Sequence, residues 1–242
     1  MTNAIMLTKN TDQLRQQVAA HVAADSIAQG IYWDEGSKRG CFIGCLAHSN
    51  DPEINEQTYG LPVLVQRIAE SIFEALPDDE AKAFFAALPD AVGCDGKDLS
   101  KVGWQFLAAE LRALPAQTAE IQVVIDPVIA GMDLLASGQE WADAAAGAAA
   151  VRAASDAAAY AAHAAAHAVY AARAAADADA AADADAAAYA AHAAAHAARA
   201  AADAADAAAD AADADAWAAR RRQHDTLLAL ISQAPVLEGG ND

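Results

Sequence analysis

The chain has 242 residues, 56% of them apolar, and a formal net charge of −19. Such a charge is repelled by nucleic acid and by anionic membrane, so direct binding to either is excluded and a basic protein partner is favoured. Three cysteines, an odd number, argue against a disulfide framework, and MTNAIMLTKN lacks the apolar stretch of a signal peptide, so a cytoplasmic setting is expected.

Residues 11–29 space Leu14, Val18 and Val22 four apart, with Thr11 able to cap and Gly30 closing, which predicts a helix. IYWDEGSKRG follows as a charged, glycine-punctuated turn, and GCFIGCLAH as a short apolar segment. SNDPEINEQTYG reads as a capped helical turn. Pro62, at a first helical position, opens LPVLVQRIAESIFEAL, with Leu64, Ile68 and Ile72 on one side. PDDEAKAFFAALP is a helix bracketed by prolines, residues 98–114 form another, and 118–136 continue helical through Pro127. No stretch alternates at period two. The fold class is therefore all-α, with a helical globular domain over residues 1–138.

Ser137-Gly138-Gln139-Glu140 matches a capping box and marks the start of an alanine-rich helical arm over 139–234, followed by a flexible tail over 235–242. Between Gly147 and Pro235 there is neither Gly nor Pro, and alanine has the highest helix propensity of all residues. The arm is either an extended rod or a hairpin reversing within DADAAADAD. The string DAAAYAAHAAAHA occurs at 156–168 and again at 185–197, an internal repeat. A methyl-coated helix lets a neighbour approach closely, within the chain or in a homo-oligomer, while a narrow Tyr, His, Arg and Asp stripe stays hydrated. Leu227, Leu228, Leu230 and Ile231 then supply an apolar foot expected to dock on the N-terminal domain.

Three constellations are candidates for chemistry. His163/His167 and His192/His196 are i,i+4 pairs, a spacing that can place two imidazoles on one metal ion. No acid adjoins them to act as a base, and the plainer alternative is a solvated stripe copied by repeat expansion. The second constellation is Cys41-Phe-Ile-Gly-Cys45-Leu-Ala-His48, whose i, i+4 and i+7 positions would share one helix face. Two thiols and an imidazole could then hold zinc, with His21, Glu56 or Cys94 as a fourth ligand. Equally, Cys45 and His48 could be a nucleophile and its base. Against both stands the tendency of cysteine to serve as a small buried apolar residue. The third is the ladder Asp203, Asp206, Asp210 and Asp213. Its carboxylates rise by about 4.5–6 Å per step, near the spacing of phosphates along a nucleic-acid strand. Such a helix could occupy a basic groove; the plainer alternative is a solvated charged face.

The stretch QGIYWDEGSKRGCFIGCLAHSND, then YGLPVLVQRIAESIFEALP and an alanine-rich tail ending WAARRRQHDTLLALI, resembles a family of uncharacterised bacterial and phage proteins. Gly40-Cys41, Gly44-Cys45, His48, the Gly60-Leu61-Pro62 turn and Phe73-Glu74 carry the resemblance. It implies a mobile-element or bacterial cytoplasmic setting and brings no catalytic residues with it. The expected function is that of a non-enzymatic acidic interaction protein inhibiting a host nucleic-acid-handling or defence protein. The alternative is a metal-binding or thiol-active protein using Cys41, Cys45 and His48.

Overall fold

A computed structural model describes residues 6–114, 119–141 and 213–237. Among the described residues the protein is all-α: eight helices and one two-residue-per-strand hairpin. By their contacts, Met1–Val102 and Arg222–Asp242 form one compact unit and Gly103–Arg221 a second. The sequence pattern places its boundaries at 138 and 234, on the Ser137–Glu140 motif and on the stretch free of Gly and Pro that ends at Pro235.

The first unit opens with α1, Thr11–Ala23. It is shorter than the 11–29 expected because the chain reverses at Asp25, which adopts the left-handed conformation at φ 45°. The Ser26 N–H donates to the His21 carbonyl and the Asp25 N–H to that of Val22, the paired bonds of a Schellman stop with Asp where Gly is usual. That reversal carries Ser26 back over the last turn of α1. The charged turn is a hairpin of β1 (Trp33–Asp34) and β2 (Arg39–Gly40), with Trp33 opposite Gly40.

Next comes α2, Phe42–Ala47, only six residues long, with Phe42, Ile43, Gly44, Cys45 and Leu46 all buried. A helix this short cannot satisfy its own polar backbone, since the terminal N–H and C=O groups of any helix lack internal partners. Its neighbours do so instead. Glu70 accepts from the Ile43 N–H at 2.9 Å, Asn55 donates to the Ile43 carbonyl at 3.2 Å, Tyr59 to that of Leu46 at 3.2 Å and Gln17 to that of Cys45 at 3.0 Å.

These neighbours ride on the surrounding helices: α3 (Pro52–Tyr59), α4 (Val63–Ala75) and α5 (Asp78–Val92). Asp51 caps α3 by accepting from the Glu53 N–H, and Gly60 closes it at φ 69°, as the sequence pattern predicts. Pro62 is the N-cap of α4 rather than its first residue, and the buried stripe runs through Val65, Ile68 and Ile72, leaving Leu64 half-buried. Pro89 lies inside α5 instead of ending it; the helix runs on to Gly93, whose N–H bonds the Pro89 carbonyl. Phe42 sits among Phe73, Phe84 and Phe85 at ring-centroid distances of 5.4–6.2 Å, joining α2, α4 and α5 around one apolar centre.

The C-terminal segment completes this unit. From Arg222 onward, α8 (Asp213–Gln233) buries Leu227 and Ile231 completely and leaves Leu228 and Leu230 half-buried, so the apolar foot enters the core by two of its four residues. The buried Lys97 ammonium donates to the carbonyls of Ala91, Ile231 and Ser232 at 2.8–3.2 Å, closing the ends of α5 and α8 together. Residues 235–237, read from sequence as flexible tail, pair with the 96–98 backbone: Asp98 N–H to Pro235 and Leu237 N–H to Gly96.

The second unit contains most of α6 (Val102–Arg112) and α7 (Ala119–Ser137). Arg112 pairs with Asp133. Pro127 falls on the exposed side of α7, where water can serve the carbonyl its missing N–H leaves open. The supposed capping box is the reverse signal. Gly138, at φ 81°, and Gln139 donate back to Leu135 and Leu134 in a Schellman stop, and the Ser137 hydroxyl bonds the Leu134 carbonyl. Trp141 then folds onto Gly131, where a Cβ would lie 2.1 Å from the indole.

No helix among the described residues is long and apolar enough to cross a membrane.

Candidate functional site

The motif Gly40-Cys41-Phe-Ile-Gly44-Cys45-Leu-Ala-His48 surrounds α2, and each of its polar side chains faces a different environment. The glycines are steric. A Cβ on Gly44 would stand 1.6 Å from the Tyr32 carbonyl oxygen, and one on Gly40 2.4 Å from the same atom. Their bareness lets the 31–32 backbone lie against α2, where the Cys41 N–H donates to the carbonyls of Ile31 and Tyr32.

Cys41 is the N-cap of α2 and only 1% exposed. Its thiol donates to the Glu70 carboxylate, and burial above all, then the Glu70 charge, pushes its pKa up. Glu70 is itself buried, and its carboxyl is pushed up to about 7 chiefly by loss of water, against the opposing pull of the Cys41 and Ile43 hydrogen bonds. Glu74 accepts twice from the Gly30 N–H. One ligand atom from each of Cys41, Glu70 and Glu74 lies within 4.8 Å of the others, so this group could hold a metal ion. Every one of the three already has a protein partner.

Cys45 lies four residues on, fully buried, its thiol donating to the Gly40 carbonyl at 3.1 Å. Burial pushes it up to about 12, the opposite of what a nucleophile requires. Cys94 is exposed, and Glu56 accepts from the Val63 N–H.

His48 ends α2 in the left-handed conformation, φ 54°. Its imidazole stacks on Trp33 at 4.3 Å between centroids and 12° between planes. The His48 Nε2 lies 2.9 Å from the Nε2 of His21 and 2.7 Å from the Gln17 amide nitrogen, which is 3.1 Å from His21 in turn. Gln17 and His21 are one turn apart on α1 and so share its face. The far nitrogen of His21, Nδ1, is 2.6 Å from the Ser26 hydroxyl, placed there by the Schellman reversal. Burial first, and the neighbouring His48 second, lower the pKa of His21, which favours its neutral ring. This cluster lines an open cleft of about 390 Å³, whose rim includes Lys38 and Arg39.

The predicted trio Cys41, Cys45 and His48 therefore does not gather at one point among the described residues. The helix is too short for the i, i+4, i+7 argument: positions 41 and 48 are its two caps, outside the regular turns. Of the proposed fourth ligands, only His21 stands beside His48. Gln17, Ser26, Trp33 and Glu70 were missed. Gln17 and His21 carried an i,i+4 signal, and Glu70 is an acid on the same stripe as buried Gln66 and Phe73. Trp33 carried no signal, since only the hairpin brings it near. The pairs His163/His167 and His192/His196, and Asp203, Asp206 and Asp210, lie outside the described residues; Asp213 is the first residue of α8. No family model, curated protein or solved structure matches the chain.

Proposed function

We propose that the protein is a non-enzymatic acidic interaction protein of bacterial or phage type that occupies a basic, nucleic-acid-handling or defence partner. The observation that carries this reading is the charge pattern: −19 overall, with the Asp203, Asp206, Asp210, Asp213 ladder stepping by three or four residues. The connectivity supports it. The chain on both sides of Gly103–Arg221 belongs to one unit, with Lys97 bonded to Ile231 and Ser232, so the acidic segment is joined to a folded body at both ends. Such tethering limits the freedom lost on binding. The test is competition. Full-length protein is titrated into a complex of labelled duplex DNA with a purified basic nucleoid-type protein, at low and at physiological salt. DNA release that weakens with salt, and that weakens further when the four aspartates become asparagine, is expected. Absence of release at low salt overturns the reading.

A second reading, favoured by the Cys41, Glu70 and Glu74 group, is zinc binding at Cys41 with these carboxylates in place of Cys45 and His48. Zinc found by elemental analysis of protein never exposed to chelator, and absent from Cys41→Ser, is the result expected of it; equal zinc in both removes it.

A further inference from the structure

The Gln17–His21–His48 cluster has four close polar contacts, of which its own hydrogens can bridge at most three. Around the Gln17 amide nitrogen stand three atoms that could accept: the Cys45 carbonyl at 3.0 Å, His48 Nε2 at 2.7 Å and His21 Nε2 at 3.1 Å. An NH2 group has two hydrogens. If both imidazoles keep bare Nε2 atoms, two lone pairs face each other at 2.9 Å. If His48 carries its proton on Nε2, two donors meet at 2.7 Å between His48 and Gln17; if His21 does, two donors meet at 3.1 Å. Turning the amide so that Oε1 points inward lets it accept from the rings, but sets it against the Cys45 carbonyl at 3.0 Å. Every arrangement therefore leaves at least one of the four close contacts without a hydrogen between its two atoms.

A cation removes the conflict. With the Gln17 amide turned, its oxygen stands within 2.7–3.1 Å of three further lone pairs: the two imidazole nitrogens and the Cys45 carbonyl left over at the end of α2. The four contacts, 2.7–3.1 Å, match the ~2.8–3.1 Å edges that ~2.0–2.2 Å bonds give at right angles, as in square or octahedral shells, and are shorter than the ~3.3–3.6 Å edges of a tetrahedron. The surroundings are those of a metal site as well. Ser26 can accept from His21 Nδ1–H while its own hydroxyl donates to the His21 carbonyl, which leaves Nε2 as the bare nitrogen. Trp33 fixes the plane of His48. His48 is also held in a backbone conformation that costs a non-glycine residue energy, a strain found where a side chain must be aimed.

We infer that Gln17, His21, His48 and the Cys45 carbonyl form a binding site for one divalent transition-metal ion of the imidazole-preferring class, zinc, nickel or copper. Gln17, His21 and His48 line the open cleft, which leaves room for an exogenous ligand, and Lys38 and Arg39 on the same lining suit an anionic one. The site stands apart from the acidic interaction role, and does not depend on it.

The experiment uses the full-length chain, stripped with chelator and titrated with zinc chloride. Imidazole nitrogen resonances are followed by NMR and heat by calorimetry. One equivalent should bind, moving the Nε2 resonances of His21 and His48 while His21 Nδ1 keeps its proton. His48→Ala, at an exposed position, should weaken this binding on the order of 100-fold, and Ser26→Ala about 10-fold. Cys41→Ser should leave it unchanged, as should alanine at His163, His167, His192 and His196 together. Unmoved His21 and His48 resonances at saturating zinc overturn the assignment without any variant. Unchanged affinity in His48→Ala, or loss only in the four-histidine or Cys41 variant, overturns it also.

Discussion

The two ends of α2 present the same problem, polar groups beside a helix too short to satisfy itself, and solve it differently. At the N-terminal end Glu70 takes the Ile43 N–H and the Cys41 thiol in a buried pocket, and each donor has an acceptor. At the C-terminal end Gln17, His21 and His48 crowd together at the wall of a cleft with more close polar contacts than hydrogens to bridge them. A sealed cluster in which each donor has an acceptor is a structural device, whereas an open one with an unbridged polar contact has room for a ligand.

The comparison breaks first if the glycine between the two ends, Gly44, proves replaceable. Gly44→Ala should lose about 3 kcal/mol or more in denaturant unfolding, because a backbone carbonyl 1.6 Å from the new Cβ cannot move aside as a side chain could. A variant as stable as the parent would mean that the 31–32 loop does not press on α2. Next in size is a pH effect at the sealed end. The folded carboxyl of Glu70 is raised to about 7 from an ordinary 4.5, so the folded state holds a proton that the unfolded state releases. That contribution is complete below pH 4.5 and is lost as pH rises through 7, on the order of 3 kcal/mol in all. Urea midpoints across this range should fall for the parent and stay flatter for Glu70→Gln, which keeps the acceptor for Ile43. Equal slopes would place water, or a metal ion, at Glu70. The smallest effect belongs to the open end. His48→Gly removes a stacked ring but relieves the φ of 54°, so thermal unfolding should shift by less than about 1 kcal/mol. A large loss would make His48 a structural residue and erase the contrast.

Where capping residue and apolar period agreed, as at Asp51, Gly60 and the Ile68–Ile72 stripe, the local pattern was enough, because a cap and a buried face act within one element. Where one pattern has two meanings the reading went astray. Ser-Gly-Gln-Glu can open a helix or close one, and the preceding apolar turn of α7, with Trp141 folding back on Gly131, makes it a stop. Pro89 can end a helix or ride inside it, and the packing of Ala91 and Val92 carries α5 past it.

Composition, period and charge by themselves fixed the all-α class, most helix positions, the apolar foot at Leu227–Ile231 and the acidic character of 141–220, since these follow from single residues and their nearest neighbours. Only the tertiary structure decided how long α2 is. That length sends Cys41 to Glu70, Cys45 into the core and His48 to His21, because a six-residue helix must borrow its hydrogen-bond partners from elements far away in the chain.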